Sequence, residues 1–134
     1  AWARNTKIYH QDGMELALSL APPEPRRGVL LIDPSWEIKT DYDTMPPTIA
    51  KLHRIWNVGI VMLWYPILTD GRHHDMVQTL QDNHPEALRH EVAFAPARQG
   101  HGMVGSGMFV LNTPWGLPEF AQSLDKRFAK LARK

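Results

Sequence analysis

Two short, wholly apolar runs constrain the fold of this chain more than any other feature. Val29–Ile32 and residues 60–65 contain no charged side chain. Several apolar residues in succession are typical of a strand that is covered on both faces. A segment with helical spacing of apolar residues lies between the two runs, and strands that alternate with helices form parallel sheets with helices packed on their faces. The sequence therefore predicts an α/β domain.

The other predicted strands lie at 7–10, 90–95 and 107–112. The last two follow each other without a helix, and such a pair is antiparallel. The predicted fold is a mostly parallel, Rossmann-like sheet with an antiparallel final pair. Ligands bind beyond the carboxyl ends of the strands in such sheets, so Asp12 and Asp33, which both follow predicted strands, are expected at one rim.

Four helices are predicted. Asp12 and Glu15 have the spacing of a helix cap and its reciprocal acid, ahead of a helix at 14–20. Thr44 is the expected N-cap of the second helix, whose first turn tolerates the prolines at 46 and 47. The third helix follows Gly71 and turns Met76, Val77 and Leu80 inward. The fourth has one apolar face, formed by Phe120, Leu124, Phe128 and Leu131.

Composition restricts the class of protein. The 134 residues, 43% of them hydrophobic and 22% charged, indicate a single soluble domain. The net charge of +1 requires any contact with nucleic acid to be local. The absence of cysteine excludes thiolate chemistry and cysteine metal sites, and it leaves the cytoplasm as the default compartment. Ile60–Leu68, the longest apolar run, is too short to cross a bilayer.

The most informative motif is Asp33-Pro34-Ser35-Trp36, called here the Asp33 turn. It is similar to the D-P-P-[YFW] signature of amino-methyltransferases, with Ser35 in place of the second proline. Asp33 and the carbonyl of Pro34 can accept the two hydrogens of an exocyclic amine, and Trp36 can stack on a base swung out of its helix. An ordinary β-turn explains the same residues on local grounds.

Two other motifs compete with it. Asn112-Thr113-Pro114-Trp115, the Asn112 turn, also follows an apolar strand and ends in Pro-Trp, but it lies on the antiparallel side of the predicted sheet. Residues 100–105 spell G-x-G-x-x-G. A dinucleotide loop of that kind needs a strand before it and a helix after it, whereas a strand follows here, so a hairpin loop carrying Arg98 and His101 is the preferred interpretation.

Three further features have a structural and a functional interpretation. Asp12 can contact the adenine amine of a methyl donor or simply cap a helix. His73 and His74 adjoin, and adjacent helical residues point apart, so no metal site is expected. The basic residues of the last helix, Lys126, Arg127, Lys130, Arg133 and Lys134, can contact phosphate or form a solvated face.

Longer stretches resemble one known family. Residues 26–34 and 37–42 look like the corresponding segment of the RlmJ family, which methylates an adenine N6 of large-subunit (23S) ribosomal RNA. Residues 63–66, 102–108 and 111–115 are similar to the same family in the same order. Members were also described as proteins involved in the use of external DNA as a nutrient.

The resemblance implies a fold, a cofactor and a site. It implies the C-terminal half of a Rossmann-like methyltransferase sheet, within a domain over 1–134 that lacks the N-terminal cofactor-binding strands. Asp33 matches the family's catalytic acid, Pro34 and Trp36 belong to its base-binding turn, and Asp12 and Gly13 match a pair that contacts S-adenosylmethionine, as Asp33 also does. Ser35-Trp36 stands where the family has Pro-Tyr. Because the family's N-terminal half holds most of the cofactor, the chain alone is expected to bind S-adenosylmethionine weakly or not at all and to be inactive.

Three hypotheses remain at this stage. The first is an RNA adenine-N6 methyltransferase that uses S-adenosylmethionine and acts on ribosomal RNA, with this chain supplying the base-gripping half. The second is a nucleic-acid-binding module without catalysis, suggested by Ser35 and the missing cofactor loop. The third is a DNA-processing protein, suggested only by the description attached to family members.

Overall fold

A four-stranded sheet organises the computed structural model, which describes residues 5–95 and 98–131. Its strands are β1 (Val29–Ile32), β2 (Ile60–Leu68), β3 (Leu88–Ala93) and β4 (Met103–Leu111), in the order β1-β2-β4-β3. Only β1 and β2 are parallel, because β4 inserts between β2 and β3 and runs antiparallel to both. The predicted antiparallel final pair is confirmed, but the predicted mostly parallel arrangement is not.

Four helices accompany the sheet: α1 (Gly13–Leu20), α2 (Thr40–Ile55), α3 (His73–Asn83) and α4 (Leu117–Leu131). One sheet face packs against α2 and α3. The fully buried side chains of this layer include Ile49 and Leu52 from α2, Val77 and Leu80 from α3, and Leu63 from β2. The inward positions predicted for α3 are confirmed, since Met76, Val77 and Leu80 are all buried.

Predicted and observed elements differ at several positions, including the start of β4, which is Met103 and not residue 107. Residues 7–10 form no strand and pair with no other described segment. The second helix begins at Thr40, four residues before the predicted cap at Thr44, so Pro46 and Pro47 lie inside it. Backbone bonds from Asp41 and Tyr42 to Ile38 and Lys39 close the first turn, and neither proline has an N–H to donate to the carbonyl four residues before it.

The opposite sheet face is only partly covered. Helix α4 packs over β3 and β4, with Ala121 buried, Leu124 and Phe128 half-buried and Phe120 54% exposed. The side chain predicted for the same face at Leu131 lies outside the described part of the chain.

Strand β1 lies at the edge of the sheet, beyond the reach of α4. Val29 and Leu31 are 61% and 60% exposed on the partly covered face. The prediction that both faces of β1 are covered was therefore wrong within the described residues, because only the face carrying Leu30 and Ile32 packs against other elements.

None of the helices in the described ranges has the length and apolar character that crossing a bilayer requires.

Candidate base-binding site

A cavity of about 390 Å³ opens at the carboxyl end of β1. Asp12 and Asp33 both line it, together with Asp41 and the apolar side chains of Met14, Ile38 and Met45. The two acids lie 21 positions apart in the chain, and they meet because α1 leads into β1 and both elements border the same rim. The prediction that Asp12 and Asp33 share one rim is confirmed.

Asp12 has a structural task at this rim. Its Oδ1 accepts hydrogen bonds from the backbone N–H groups of Met14 at 3.0 Å and Glu15 at 2.8 Å. These bonds satisfy amides that the first turn of α1 leaves without helical partners. The cap interpretation of Asp12 is thus confirmed. One carboxylate oxygen is engaged with the helix, while the residue still borders the cavity.

Asp33 follows β1 directly and is exposed. None of the three ion pairs among the described residues involves its carboxylate. Pro34 and Ser35 line the same cavity, with Pro34 half-buried. The turn therefore presents an acid, and the backbone that follows it, to a space large enough for a planar base.

Trp36 lies on the other side of this turn. The indole is only 4% exposed, belongs to the main core and contacts Tyr42 with ring centroids 4.7 Å apart. The expectation that Trp36 offers a free face to a base does not match this packing, because the core occupies the space around the ring. An aromatic side chain after a Pro-Ser turn can fold inward as readily as outward, and the sequence alone does not distinguish the two.

The Trp36–Tyr42 contact has two unusual features. Trp36 has a φ of 59°, a left-handed backbone conformation that bulky residues rarely adopt. Its Nε1 and the hydroxyl of Tyr42 are both buried, and neither has a hydrogen-bond partner among the described residues. Burial raises the pKa of Tyr42, and the nearby Arg72 guanidinium opposes that rise. The turn thus carries a conformational cost that the surrounding packing sustains.

The rival Asn112 turn lies at the opposite rim, because β4 is antiparallel to β2 and Leu111 pairs with Val61 near the start of β2. The Nδ2 group of Asn112 donates to the carbonyls of Asn57 at 3.0 Å and Gly59 at 2.7 Å. Its side chain is therefore used to join two loops.

The glycine-rich segment is a hairpin loop. Residue 103 begins β4, and β4 is antiparallel to β3, so no helix N-terminus follows the glycines. Backbone bonds from His101 to Arg98 and from Thr69 to Gly102 position the loop beside the end of β2. Residues 96 and 97 of the predicted connection lie outside the described residues.

His73 and His74 lie closer than predicted. Their ring centroids are 4.2 Å apart at the start of α3, so the expectation that the two side chains point apart was wrong. His73 is 2% exposed, and its pKa is lowered by burial and by His74. Within residues 5–95 and 98–131, no group of three or more histidine and acidic side chains is arranged to hold a metal ion.

Sequence reasoning missed Asp41 and a polar network. Asp41 lines the cavity from the first turn of α2, a position that the misplaced N-cap concealed. The hydroxyl of buried Tyr65 donates to Glu91 at 2.7 Å, and Arg89 donates to the same oxygen at 2.8 Å. Burial raises the pKa of Glu91, but the bonds from Arg89 and Tyr65 outweigh it and lower the pKa overall. A tyrosine within an apolar strand was the available signal.

Comparisons with known proteins identify relatives along nearly the whole chain. The family model described as Ribosomal RNA large subunit methyltransferase D, RlmJ, matches residues 1–132. A protein of Escherichia coli (strain K12) named Ribosomal RNA large subunit methyltransferase J is 35% identical over 84% of the chain. A protein of the same name from Haemophilus influenzae (strain ATCC 51907 / DSM 11121 / KW20 / Rd) is 31% identical over 85%. The chain spans 41% of each of these relatives.

A solved structure shares the fold. The crystal structure of protein LPL1258 from Legionella pneumophila str. Philadelphia 1 superimposes with a TM-score of 0.81 and 27% sequence identity. The match covers 92% of this chain and 47% of that protein. With a family model that matches 132 of its 134 residues, the chain belongs to the RlmJ family of ribosomal RNA large-subunit methyltransferases.

Proposed function

We propose that this chain supplies the base-binding part of an S-adenosylmethionine-dependent methyltransferase that modifies N6 of an adenine in 23S ribosomal RNA. The observation that carries the proposal is the cavity where Asp33, Pro34 and Asp12 meet. Because the chain spans 41% of its curated relatives, we assign the complete activity to a longer polypeptide. We place this activity in the cytoplasm and expect the isolated chain to be inactive.

The chemistry requires hydrogen-bond acceptors at the target amine. The nitrogen lone pair of adenine N6 is delocalised into the ring, so the amine is a weak nucleophile. In the proposed complex, one N–H donates to the Asp33 carboxylate and the other to the carbonyl of Pro34, which turns the lone pair away from the ring. Asp33 is suited to this task because no described side chain neutralises it in an ion pair.

Trp36 has a positioning role in this proposal. Its buried indole anchors the end of the turn against Tyr42, while Asp33 and Pro34 remain at the cavity. Stacking of Trp36 on the base would require the ring to leave the core. The methionine and isoleucine side chains that line the cavity supply an apolar wall for the base instead.

The cavity fits part of S-adenosylmethionine. Three carboxylates line it, and they suit the hydrogen-bond donors and the cationic groups of this cofactor. The Oδ1 atom of Asp12 caps α1, so its Oδ2 atom is the one that would accept from the cofactor beside Gly13. No lysine, arginine or histidine lines the cavity to hold the methionine carboxylate. When bound, the cofactor supplies the electrophilic methyl group.

The decisive experiment measures methyl transfer from labelled S-adenosylmethionine to unmodified 23S ribosomal RNA by the full-length protein. Asp33→Asn should reduce the rate by on the order of a hundredfold or more, because the negative charge beside the reacting amine is lost and one of the two acceptor oxygens becomes an NH2 donor. Asp43→Asn, an exposed acid of α2 outside the cavity lining, is the matched control and should retain full activity. Nucleoside analysis should find N6-methyladenosine. Full activity in Asp33→Asn, or a methyl group on another atom, would contradict the proposal.

The second candidate is an RNA-binding module without catalysis. The buried Trp36 favours it, because the turn lacks the exposed ring that base stacking needs. In that case the full-length protein would bind RNA but would neither bind the cofactor nor transfer a methyl group.

A further inference from the structure

Strands β2, β3 and β4 extend beyond the carboxyl end of β1. Ile32, the last residue of β1, pairs with Leu63, whereas β2 continues to Leu68 and stays paired with β4. Five residues of strand span roughly 16 Å. Strand β3 follows β4 over the same stretch, up to Ala93. The carboxyl ends of β2 and β3 and the start of β4 therefore form a wall beside the cavity that contains Asp33.

Two loops form the tip of this wall. The loop that leaves β2 and the loop that enters β4 are tied by the backbone bond from Thr69 N–H to the Gly102 carbonyl, at 2.8 Å. Arg72 lies in the first loop, and Arg98 and His101 lie in the second. All three residues are exposed.

Arg72 is held by a single acid at the tip. Its guanidinium forms an ion pair with Asp70 and donates to that carboxylate through both Nε and Nη2. These bonds lower the pKa of Asp70, and the charge of Lys39 lowers it further. We call Arg72, Arg98 and His101 the basic tip.

The cavity beside the wall has the opposite character. Asp12, Asp33 and Asp41 line it, and no basic side chain does. A phosphate would be repelled by the carboxylates, whereas a base amine would be attracted. The net charge of +1 shows that this separation is a local arrangement and not the result of a generally basic chain.

We propose that the basic tip binds the phosphodiester backbone of the RNA strand next to the nucleotide whose base enters the acidic cavity. The inference rests on the proposed function for the identity of the nucleic acid. In the proposed RNA complex, a phosphate replaces Asp70 as the partner of Arg72. The strand then runs along the rim from Asp33 toward the β3–β4 loop.

The test is the affinity of the chain for a fluorescein-labelled single-stranded oligoribonucleotide, measured by anisotropy over a range of salt concentrations. Each lost phosphate contact reduces the slope of log affinity against log salt by about 0.7. The double variant Arg72→Gln, Arg98→Gln should therefore bind more weakly, with a slope smaller by about 1.4. The matched control, Arg127→Gln with Lys130→Gln, removes the same charge from exposed positions of α4 and should bind like the wild type.

A gain-of-function variant guards against misfolding as an explanation. Asp70→Asn keeps an oxygen that can accept the Arg72 backbone N–H but frees the guanidinium. It should bind RNA more tightly and with a steeper salt dependence. Wild-type affinity in the Arg72, Arg98 double variant, an equal loss in the α4 control, unchanged binding by Asp70→Asn, or no salt-sensitive binding by the wild-type chain would each overturn the proposal.

The proposed function is tested separately, by methyl transfer from labelled S-adenosylmethionine to 23S ribosomal RNA with the full-length protein. Normal RNA binding without methyl transfer by the full-length protein would therefore reject the function and leave the basic tip intact.

Discussion

The Asp33 turn and the Asn112 turn are alike in sequence and opposite in structure. Each follows an apolar strand and each ends in tryptophan, yet Trp36 is 4% exposed and Trp115 is 101% exposed. The polar residues differ in the reverse sense, because Asp33 stays exposed without an ion pair while Asn112 joins two loop carbonyls. One turn uses its ring for stability and leaves its polar group available, and the other does the opposite.

In motifs of this kind, a functional residue is expected where a polar side chain is not already used by the fold. A side chain that the fold already uses has little capacity for a ligand, whereas a carboxylate held at a cavity by a buried neighbour is both fixed and available. By this criterion the Asp33 turn is the candidate site, whereas the Asn112 turn has a structural role, since it connects two loops at the opposite rim.

The largest expected difference between the turns is in stability. Trp36→Ala should lower the free energy of unfolding by about 3 kcal/mol or more, since it removes a large buried ring from the core. Trp115→Ala should change it by less than about 0.5 kcal/mol, because the ring is exposed. Chemical denaturation of the two variants measures both values. Equal losses would mean that the two rings are buried alike, and the comparison would fail.

The polar residues should show the reverse order. Asn112→Ala should cost about 1 to 3 kcal/mol, because two carbonyls lose their donor and alanine is strained at a φ of 53°. Asn112→Gly relieves the strain and so isolates the hydrogen-bond contribution. Asp33→Asn should stay within about 0.5 kcal/mol. A larger loss in Asp33→Asn than in Asn112→Gly would show that Asp33 is a structural residue.

Asp12 should show an intermediate effect. Asp12→Ala removes the cap of α1 and should cost about 1 kcal/mol, whereas Asp12→Asn keeps a capping oxygen and should cost less. The pair separates the cap from any cofactor contact. Thermal unfolding reports the cap, and cofactor binding by the full-length protein reports the charge. If both variants unfold like the wild type, the cap contributes nothing measurable.

The smallest expected effect is a pH dependence that both rims share. Burial and a neighbouring histidine lower the pKa of His73, beside the Asp33 rim, and of His84, at the Asn112 rim. Each is therefore neutral in the folded state at a pH where the unfolded chain already binds a proton. The contribution of these two histidines to the free energy of unfolding is fully present above pH 6.5, the ordinary pKa of histidine. It decreases as the pH falls below that value.

Thermal unfolding across this pH range measures the effect. His84→Gln should weaken the dependence, and His101→Gln, at an exposed position, should not. Stability that rises on acidification below pH 6.5 would contradict the assignment. Glu91 contributes separately and at lower pH, because its depressed pKa makes its stabilisation disappear only as the pH falls below 4.5.

The fold could be predicted where local pattern and packing agree. Helix α3 and the antiparallel β3–β4 pair follow from apolar spacing and from the absence of a helix between the last two strands. The insertion of β4 between β2 and β3 could not be read from the sequence, because strand order depends on tertiary pairing. For the same reason, four apolar residues in β1 did not reveal that two of them are exposed.

The candidate site was predictable in Asp12 and Asp33 but not in Asp41 or in the direction of Trp36. Asp33 was found because it follows an apolar strand. Asp12 reaches the same rim as the N-cap of α1 and not at the exit of a strand, since residues 7–10 form none. The inward direction of Trp36 depends on its packing against Tyr42 in the core, to which α2 and the sheet both contribute. Four consecutive residues do not specify that packing.

The edge of β1 has a consequence for the behaviour of the chain at high concentration. Within the described residues this edge is unpaired and lies beside exposed Val29 and Leu31, and such an edge is a template on which another strand can add. We therefore expect preparations of the isolated chain to self-associate through this edge. Val29→Lys, at an exposed position that does not line the cavity containing Asp33, should keep the chain monodisperse, which makes β1 the first target for anyone who needs the protein in solution.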